Sequence, residues 1–269
     1  MNYLILIISI LLIHLTSEFF KEKNFLLNFS GERHQKFVVK DKIPLCGGFF
    51  IFFYFSLFFY EQIQLIFFAF LIFALGIISD LKILVSPKKR FLLQILILFF
   101  FIYLIDLNLE NTKIILIDKL IKNDFYNYFF VLFCILILVN GTNFIDGLNT
   151  NVLGYYIIIS FFLIQINKDF FLEDFEHWNL WIISLIILFI FNLFNKLFIG
   201  DSGSYILSLI YGYLLIEFFN KTEFLSSLFI VILVWYPCFE LLFSIIRKFK
   251  FNKSPIIADT KHFHQLLYF

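Results

Sequence analysis

Long apolar blocks alternate with short polar islands along the whole chain, and nine of the blocks predict membrane helices. They lie at about 2–20, 45–60, 63–79, 91–106, 128–142, 152–167, 179–198, 204–219 and 225–246. The second and third are short, and only Glu61-Gln-Ile-Gln64 separates them. Merging the two would reverse the orientation of everything on one side of them. No internal repeat and no low-complexity linker interrupts the pattern. The expected architecture is therefore an all-α, polytopic, integral membrane helical bundle forming one domain over residues 1–269.

Composition agrees with this. The chain is 61% apolar and 15% charged, with a mean hydropathy of +0.92, more apolar surface than a soluble core can absorb. The 44 Phe exceed what packing needs and read as compositional drift, not as a cofactor box. A net charge of +1 gives no footprint for a nucleic-acid partner. Cys46, Cys134 and Cys238 are odd in number, lie in or beside apolar runs and lack metal-ligand spacing, so they predict no disulfide framework. The first twenty residues lack a basic leading region and a small-residue cleavage site, so they read as a retained span.

Lys and Arg set the expected orientation. The loops at 21–44, 80–90, 143–151 and 195–203, with the tail at 247–269, hold 16 of them, against 5 in the opposite loops. The first set is expected to be cytoplasmic, which places the N-terminus outside and the C-terminus inside. The distinctive polar islands all fall on that face: Arg33-His34, Ser79-Asp80, Asn140–Asn149, Gly200–Ser204 and Ala258–His264. Asp, Asn, Gly and His gathered on one face read as one site built from several helix ends.

The chemistry of the islands is that of hard oxygen ligands. In Asn140-Gly-Thr-Asn-Phe-Ile-Asp-Gly147, the residues Asn140, Asn143, Asp146 and Gly147 share an arc of roughly 120° on a helix. Asn and Asp oxygens suit Mg²⁺; the alternative is a polar helix end that caps itself. The Gly200-Asp-Ser-Gly-Ser204 loop leads into the eighth span, so its backbone N–H groups are expected to face phosphate. Asp201 reads as a metal ligand or as an N-cap. Asp80 reads as a site carboxylate, a cap, or a partner for Lys82 or Arg90. Arg90 and Lys88, at the start of the fourth span, read as interface anchors. Arg33, His34 and Lys36 read equally as anion-attracting groups and as solvated positive charge. His262 and His264 lack the spacing of a helical zinc pair. His14, Glu18, Glu217 and Glu240 are ionisable groups inside spans, and Pro237 is expected to kink the last one.

Taken together, the islands resemble the polyprenyl-phosphate N-acetylhexosamine-1-phosphate transferases, and the resemblance runs nearly the length of the chain. Arg33-His34 followed by Pro44-Leu-Cys-Gly-Gly48 is similar to the family's basic first loop. Gly76-Ile-Ile-Ser-Asp80, with Ser86-Pro87 and Arg90, is similar to its Asp-Asp loop. Asn140-x-x-Asn143-x-x-Asp146-Gly147 and Phe198-Ile-Gly-Asp201-Ser-Gly-Ser204 resemble its next two motifs. Ser254-Pro255, Ala258-Asp259 and His262-x-His264 resemble its last, in the form found in N-acetylglucosamine-type members.

The resemblance implies a bacterial plasma-membrane enzyme with a cytoplasmic site. It would move a sugar-1-phosphate, GlcNAc-1-phosphate first among the choices, from a UDP-N-acetylhexosamine to a polyprenyl phosphate in the membrane lipid. UMP would be released, and the product would start a cell-surface polysaccharide such as O-antigen or cell-wall polymer. Asp201 and Asn143 would hold Mg²⁺, with Mn²⁺ as a substitute. Asp80, Asp146 and His262 would be catalytic. Asn140, Gly147, Ser204, Lys261, His264, Arg33 and His34 would bind substrate. A homodimer is a further expectation. Three departures stand out: Ser79 replaces the first aspartate of the pair, Gln265 replaces a third histidine, and the chain ends where relatives continue into a further span. They leave a non-catalytic relative, or a membrane transporter, as the rival reading.

Overall fold

The computed structural model describes residues 2–28, 42–173, 175 and 177–250. Arg33, His34, Lys261, His262 and His264 lie outside the described residues. The described chain forms α1 (Asn2–Glu22), α2 (Gly47–Phe58), α3 (Ile63–Asp80), α4 (Pro87–Ile105), α5 (Ile115–Ile121), α6 (Asp124–Ile145), α7 (Asn151–Ile166), α8 (Lys168–Glu173), α9 (Trp178–Leu193), α10 (Gly200–Lys221), α11 (Ser227–Leu233) and α12 (Trp235–Lys250). Among the described residues there is no strand, only an isolated antiparallel bridge between Leu27 and Pro44.

A helix stands at each of the nine apolar blocks, with α11 and α12 sharing the last. Of the described helices, α3, α6 and α10 are long and apolar enough to cross a membrane; α11 and α12 together would make a fourth, and α2, α7 and α9 are shorter apolar helices. Exposed apolar side chains such as Leu11, Phe67, Phe70, Leu96, Phe100, Phe133 and Phe162 face outward, as lipid-covered surface does. The short separation at 59–62 is a true turn. Phe49 and Phe52 both meet Phe73, and Phe52 also meets Phe70, so the contacts advance along α2 as they recede along α3. The two helices are therefore an antiparallel hairpin.

The last block is bent, as Pro237 predicts. α11 and α12 meet at 76°, with the break at Val234. Pro237 sits in the first turn of α12; it has no N–H for Leu233 O, four residues back, and Tyr155 Oη donates to that carbonyl instead. α12 turns Pro237, Glu240, Leu241 and Ser244 inward and packs on α6. It leaves Trp235, Phe239, Leu242, Phe243, Ile246 and Phe249 exposed and ends in Arg247, Lys248 and Lys250. Such a helix suits a membrane surface better than a membrane interior.

At the centre stands α10, packed against α2, α3, α6 and α7. Buried positions make up 89% of its apolar window, against 39% for α3 and 44% for α6. Its first turns are Gly, Asp and Ser, and small residues let backbones approach. The closest approach is to Gly76 of α3, where a Cβ would stand 2.3 Å from Ser202 Cα. Several interior hydroxyls are paired with one another, as a medium without water favours. Tyr156 and Thr142 share a 2.6 Å bond, Tyr211 and Ser160 a 2.5 Å bond, and Tyr54 donates to Ser9 at 2.5 Å.

The Gly76 contact is with backbone and cannot be relieved by a rotamer change. Gly76→Ala is expected to remove about 1–3 kcal/mol of stability, read as a lower melting temperature of the detergent-purified protein. Gly154→Ala, whose nearest neighbour is the Phe189 ring edge at 3.2 Å, should stay close to the parent.

Candidate active site

Three of the polar islands meet at one end of α10. The chain enters this helix held by an earlier loop: Phe198 N donates to Pro44 O and Gly47 N to Phe198 O, both at 2.9 Å. Asn192, buried at the end of α9, donates to Leu197 O at 2.8 Å and accepts from Thr150 N. These bonds bring the loops that follow α6 and α9 to the same place.

The first turn of α10 is capped from another helix. Asp80, the last residue of α3, accepts Asp201 N at 2.8 Å on Oδ1 and Ser202 N at 3.1 Å on Oδ2. A carboxylate at a helix N-terminus satisfies orphan donors and meets the positive end of the helix dipole. The carboxylate lies so close to Gly200 that a Cβ there would stand 2.7 Å from Asp80 Oδ2, and Gly200 has a left-handed φ of +68°. Gly203 N bonds to Ile199 O at 3.0 Å. This corrects the expectation of a backbone phosphate cradle, because the N–H groups of residues 201–203 already have protein acceptors.

With its backbone held, Asp201 turns its side chain to three partners. Ser79 Oγ donates to Oδ2 at 2.5 Å, Arg90 Nη1 donates to Oδ2 at 2.8 Å, and Asn143 Nδ2 donates to Oδ1 at 2.6 Å. Arg90 Nη1 also donates to Ser79 Oγ at 2.5 Å. Asn143 Nδ2 reaches Ser204 Oγ at 3.3 Å, and Ser204 Oγ donates to Asp201 O at 3.1 Å. Arg90 is thus the counter-ion of Asp201, not an interface anchor, and Ser79 is a hydroxyl between them. The other N–H groups of the Arg90 fork have no acceptor among the described residues.

Along the end of α6 the polar atoms left over are acceptors. A primary amide has two N–H donors. Asn140 Nδ2 gives both away, to Gln94 Oε1 at 3.0 Å and Leu136 O at 2.9 Å. Asn143 gives both to Asp201 and Ser204. The two amide oxygens accept no side-chain or backbone donor among the described residues, and Asp146 makes no hydrogen bond there. Asp146 is half-buried in the turn after α6, with Gly147 beside it. Removal from water pushes its carboxyl well above the usual range, and the charges of Asp201 and Asp80 add to the rise.

These donors suit Mg²⁺ in one specific form. Among the described residues no three His, Cys, Asp or Glu side chains gather closely enough to hold a metal between them. Mg²⁺ usually takes one or two carboxylates and completes its shell with water and substrate phosphate. Asp201, Asn143 and Asp146 match that donor chemistry. Of the expected site residues, Asp80, Asn143, Asp146, Asp201 and Ser204 come together here. Asn140 lies one helical turn before Asn143 and donates to Gln94, and Gly147 lies in the adjoining turn.

Three further groups were not singled out from the sequence as site residues: Arg90, Gln94 and Tyr205. One signal was available. Gln94 is the single polar residue among 91–102 and stands one helical turn after Arg90, on the same face of α4.

Asp80→Ala is expected to leave Asp201 N and Ser202 N without acceptors and to remove about 1–2 kcal/mol of stability. Hydrogen-exchange mass spectrometry should show faster exchange confined first to the opening turn of α10. Unchanged exchange there would mean that the cap is not formed.

The comparisons with known proteins come to the same place. The model of glycosyl transferase family 4 matches residues 62–219, from α3 into the last turn of α10, and includes every residue of the cluster above. An undecaprenyl-phosphate alpha-N-acetylglucosaminyl 1-phosphate transferase of Thermotoga maritima is 27% identical over 129 residues, covering 48% of this chain and 39% of that protein. A probable undecaprenyl-phosphate N-acetylglucosaminyl 1-phosphate transferase of Bacillus subtilis is 28% identical over 207 residues, covering 74% of this chain and 56% of that protein. The chain therefore spans about half the length of the curated relatives it matches. With more than half of its residues inside the family match, this all-helical chain belongs to glycosyl transferase family 4.

Proposed function

We propose that the protein transfers a sugar-1-phosphate, GlcNAc-1-phosphate in the first instance, from a UDP-sugar to a polyprenyl phosphate at the cytoplasmic membrane face. The observation that carries this reading is the Asp201 cluster, supported by what the two relatives are named for. A phosphate oxygen of the acceptor attacks the β-phosphorus of the donor. The new P–O bond forms as the bond to the bridging oxygen breaks, and UMP leaves with the electron pair. The acceptor's second ionisation lies near pH 6, so it is mostly ionised at pH 7 and needs no strong base. That is why Ser79 in place of a carboxylate is compatible with activity.

Catalysis of phosphoryl transfer rests on positioning and charge stabilisation. Asp201 and Asn143 would hold Mg²⁺, or Mn²⁺ in its place, with Asp146 beside them. Such an ion supplies charge neutralisation and polarises a phosphoryl oxygen. Arg90 holds Asp201 in place and keeps the rest of its fork for the diphosphate. Asp80 acts by fixing the first turn of α10. Through the resemblance alone, His262 remains assigned to catalysis and Lys261, His264, Arg33 and His34 to the substrates. The nine-span topology, with the N-terminus outside, the bacterial plasma membrane and the start of a surface polysaccharide belong to the same reading. The polyprenyl chain would lie in the bilayer, where α12 presents an apolar face and a basic end.

The test is release of UMP from UDP-GlcNAc by purified protein with undecaprenyl phosphate. Activity should need Mg²⁺ and vanish with EDTA. Asp201→Asn should lower kcat by about a hundredfold or more without changing the elution profile. The rate should rise with pH through the ionisation near 6 and then level off. Ser79→Asp should alter the rate, not create it. Parent protein that is inert with every UDP-N-acetylhexosamine but gains turnover on Ser79→Asp would establish the non-catalytic rival.

Topology has its own check. In a background with the three cysteines replaced by alanine, Lys82→Cys and Lys196→Cys should be labelled from the cytoplasm and Lys122→Cys from outside. Labelling of Lys82→Cys and Lys196→Cys from opposite sides would overturn the orientation.

A further inference from the structure

Gln94 is the deepest polar side chain of α4, 1% exposed. It sits where three helices meet. Its Oε1 accepts from Asn140 of α6 at 3.0 Å, and the buried Tyr205 of α10 lies close to the same side chain. Tyr205 stands one helical turn after Asp201, and Gln94 one turn after Arg90. The network therefore lies directly behind the Arg90–Asp201 pair.

An asparagine amide is two-fold at its terminal torsion, so its oxygen and nitrogen can exchange places unless neighbours choose between them. Leu136 O takes one N–H of Asn140, but that carbonyl belongs to the helix ladder and is shared. Gln94 Oε1 takes the other. A flipped Asn140 would set its own oxygen against both of these oxygens.

We propose that Gln94 is a positioning residue which locks the Asn140 amide with Oδ1 as its one open atom, so that Asn140 serves the site only as an acceptor. It can receive a divalent cation or an N–H or O–H of the sugar nucleotide. It has no proton left for a phosphate. This deepens the proposed function and rests on that reading for the identity of the ligand. A buried glutamine can also act as plain interhelical glue; that role would change stability without reaching the ligand.

The experiment measures binding without turnover. Mn²⁺ binding is read by electron paramagnetic resonance and UDP-GlcNAc binding by calorimetry, on parent, Gln94→Leu, Asn140→Ala, the double variant and Gln94→Glu. Gln94→Leu should weaken one of the two ligands about tenfold. The double variant should be no weaker than Asn140→Ala, because both substitutions remove one interaction. Gln94→Glu keeps an acceptor oxygen toward Asn140 and should restore most of the affinity. Loss confined to Mn²⁺ places the cation on Asn140, and loss confined to UDP-GlcNAc places an N–H or O–H there. Parent-like affinity for both ligands in Gln94→Leu, or additive losses in the double variant, overturns the proposal. Binding without UMP release would sink the transferase reading and leave this one standing. Parent protein that binds neither ligand overturns the acceptor role, and additive melting-temperature losses in the same cycle would overturn the contact itself.

Discussion

A helix whose first turn is buried against its neighbours must find acceptors for its first N–H groups, because the packing leaves little room for water to take them. In this chain Asp80 supplies them from another helix. That one contact, from Asp80 to the N–H groups of Asp201 and Ser202, constrains much of what surrounds it. α3 must approach α10 closely enough for a short aspartate to reach, so Gly76 and Ser202 must be small where the backbones touch. Gly200 must leave room for the carboxylate and take a left-handed turn. The small-residue patterns around positions 76–80 and 200–204 are complementary halves of one joint.

The joint also decides the chemistry. Once the backbone of residues 201–203 is satisfied within the protein, the end of α10 is not an anion cradle, and negative charge must be met by side chains or by a cation. The Asp201 carboxylate is left to point at Arg90, Ser79 and Asn143. Ser79 matters here as a hydroxyl that donates to Asp201 while accepting from Arg90. A second carboxylate at that position would compete with Asp201 for the same guanidinium. Every N–H of Asn140 and Asn143 is directed into the protein, so that end of α6 presents acceptor oxygens. Charge stabilisation and positioning are what phosphoryl transfer asks of a protein, and these residues are arranged to provide both.

The sequence by itself determined where the helices lie, because apolar blocks long enough to form membrane helices have few other ways to satisfy their backbone. It also placed Asn140, Asn143 and Asp146 on one face, since the helical period alone does that, and it singled out Asp80 and Asp201 among the islands. Tertiary structure decided the rest. Local pattern shows which residues share a helix face, but not which helices become neighbours. Arg90 therefore read as an anchor until α4 was seen beside α10, and Gln94 drew no notice until its partner on α6 was in view. Asp80 read as a cap or an ion-pair partner, and only the packing of α3 on α10 showed whose helix it caps. The bend at Val234 was signalled by Pro237, but the face that α12 then turns to α6 is a long-range contact that no local period encodes.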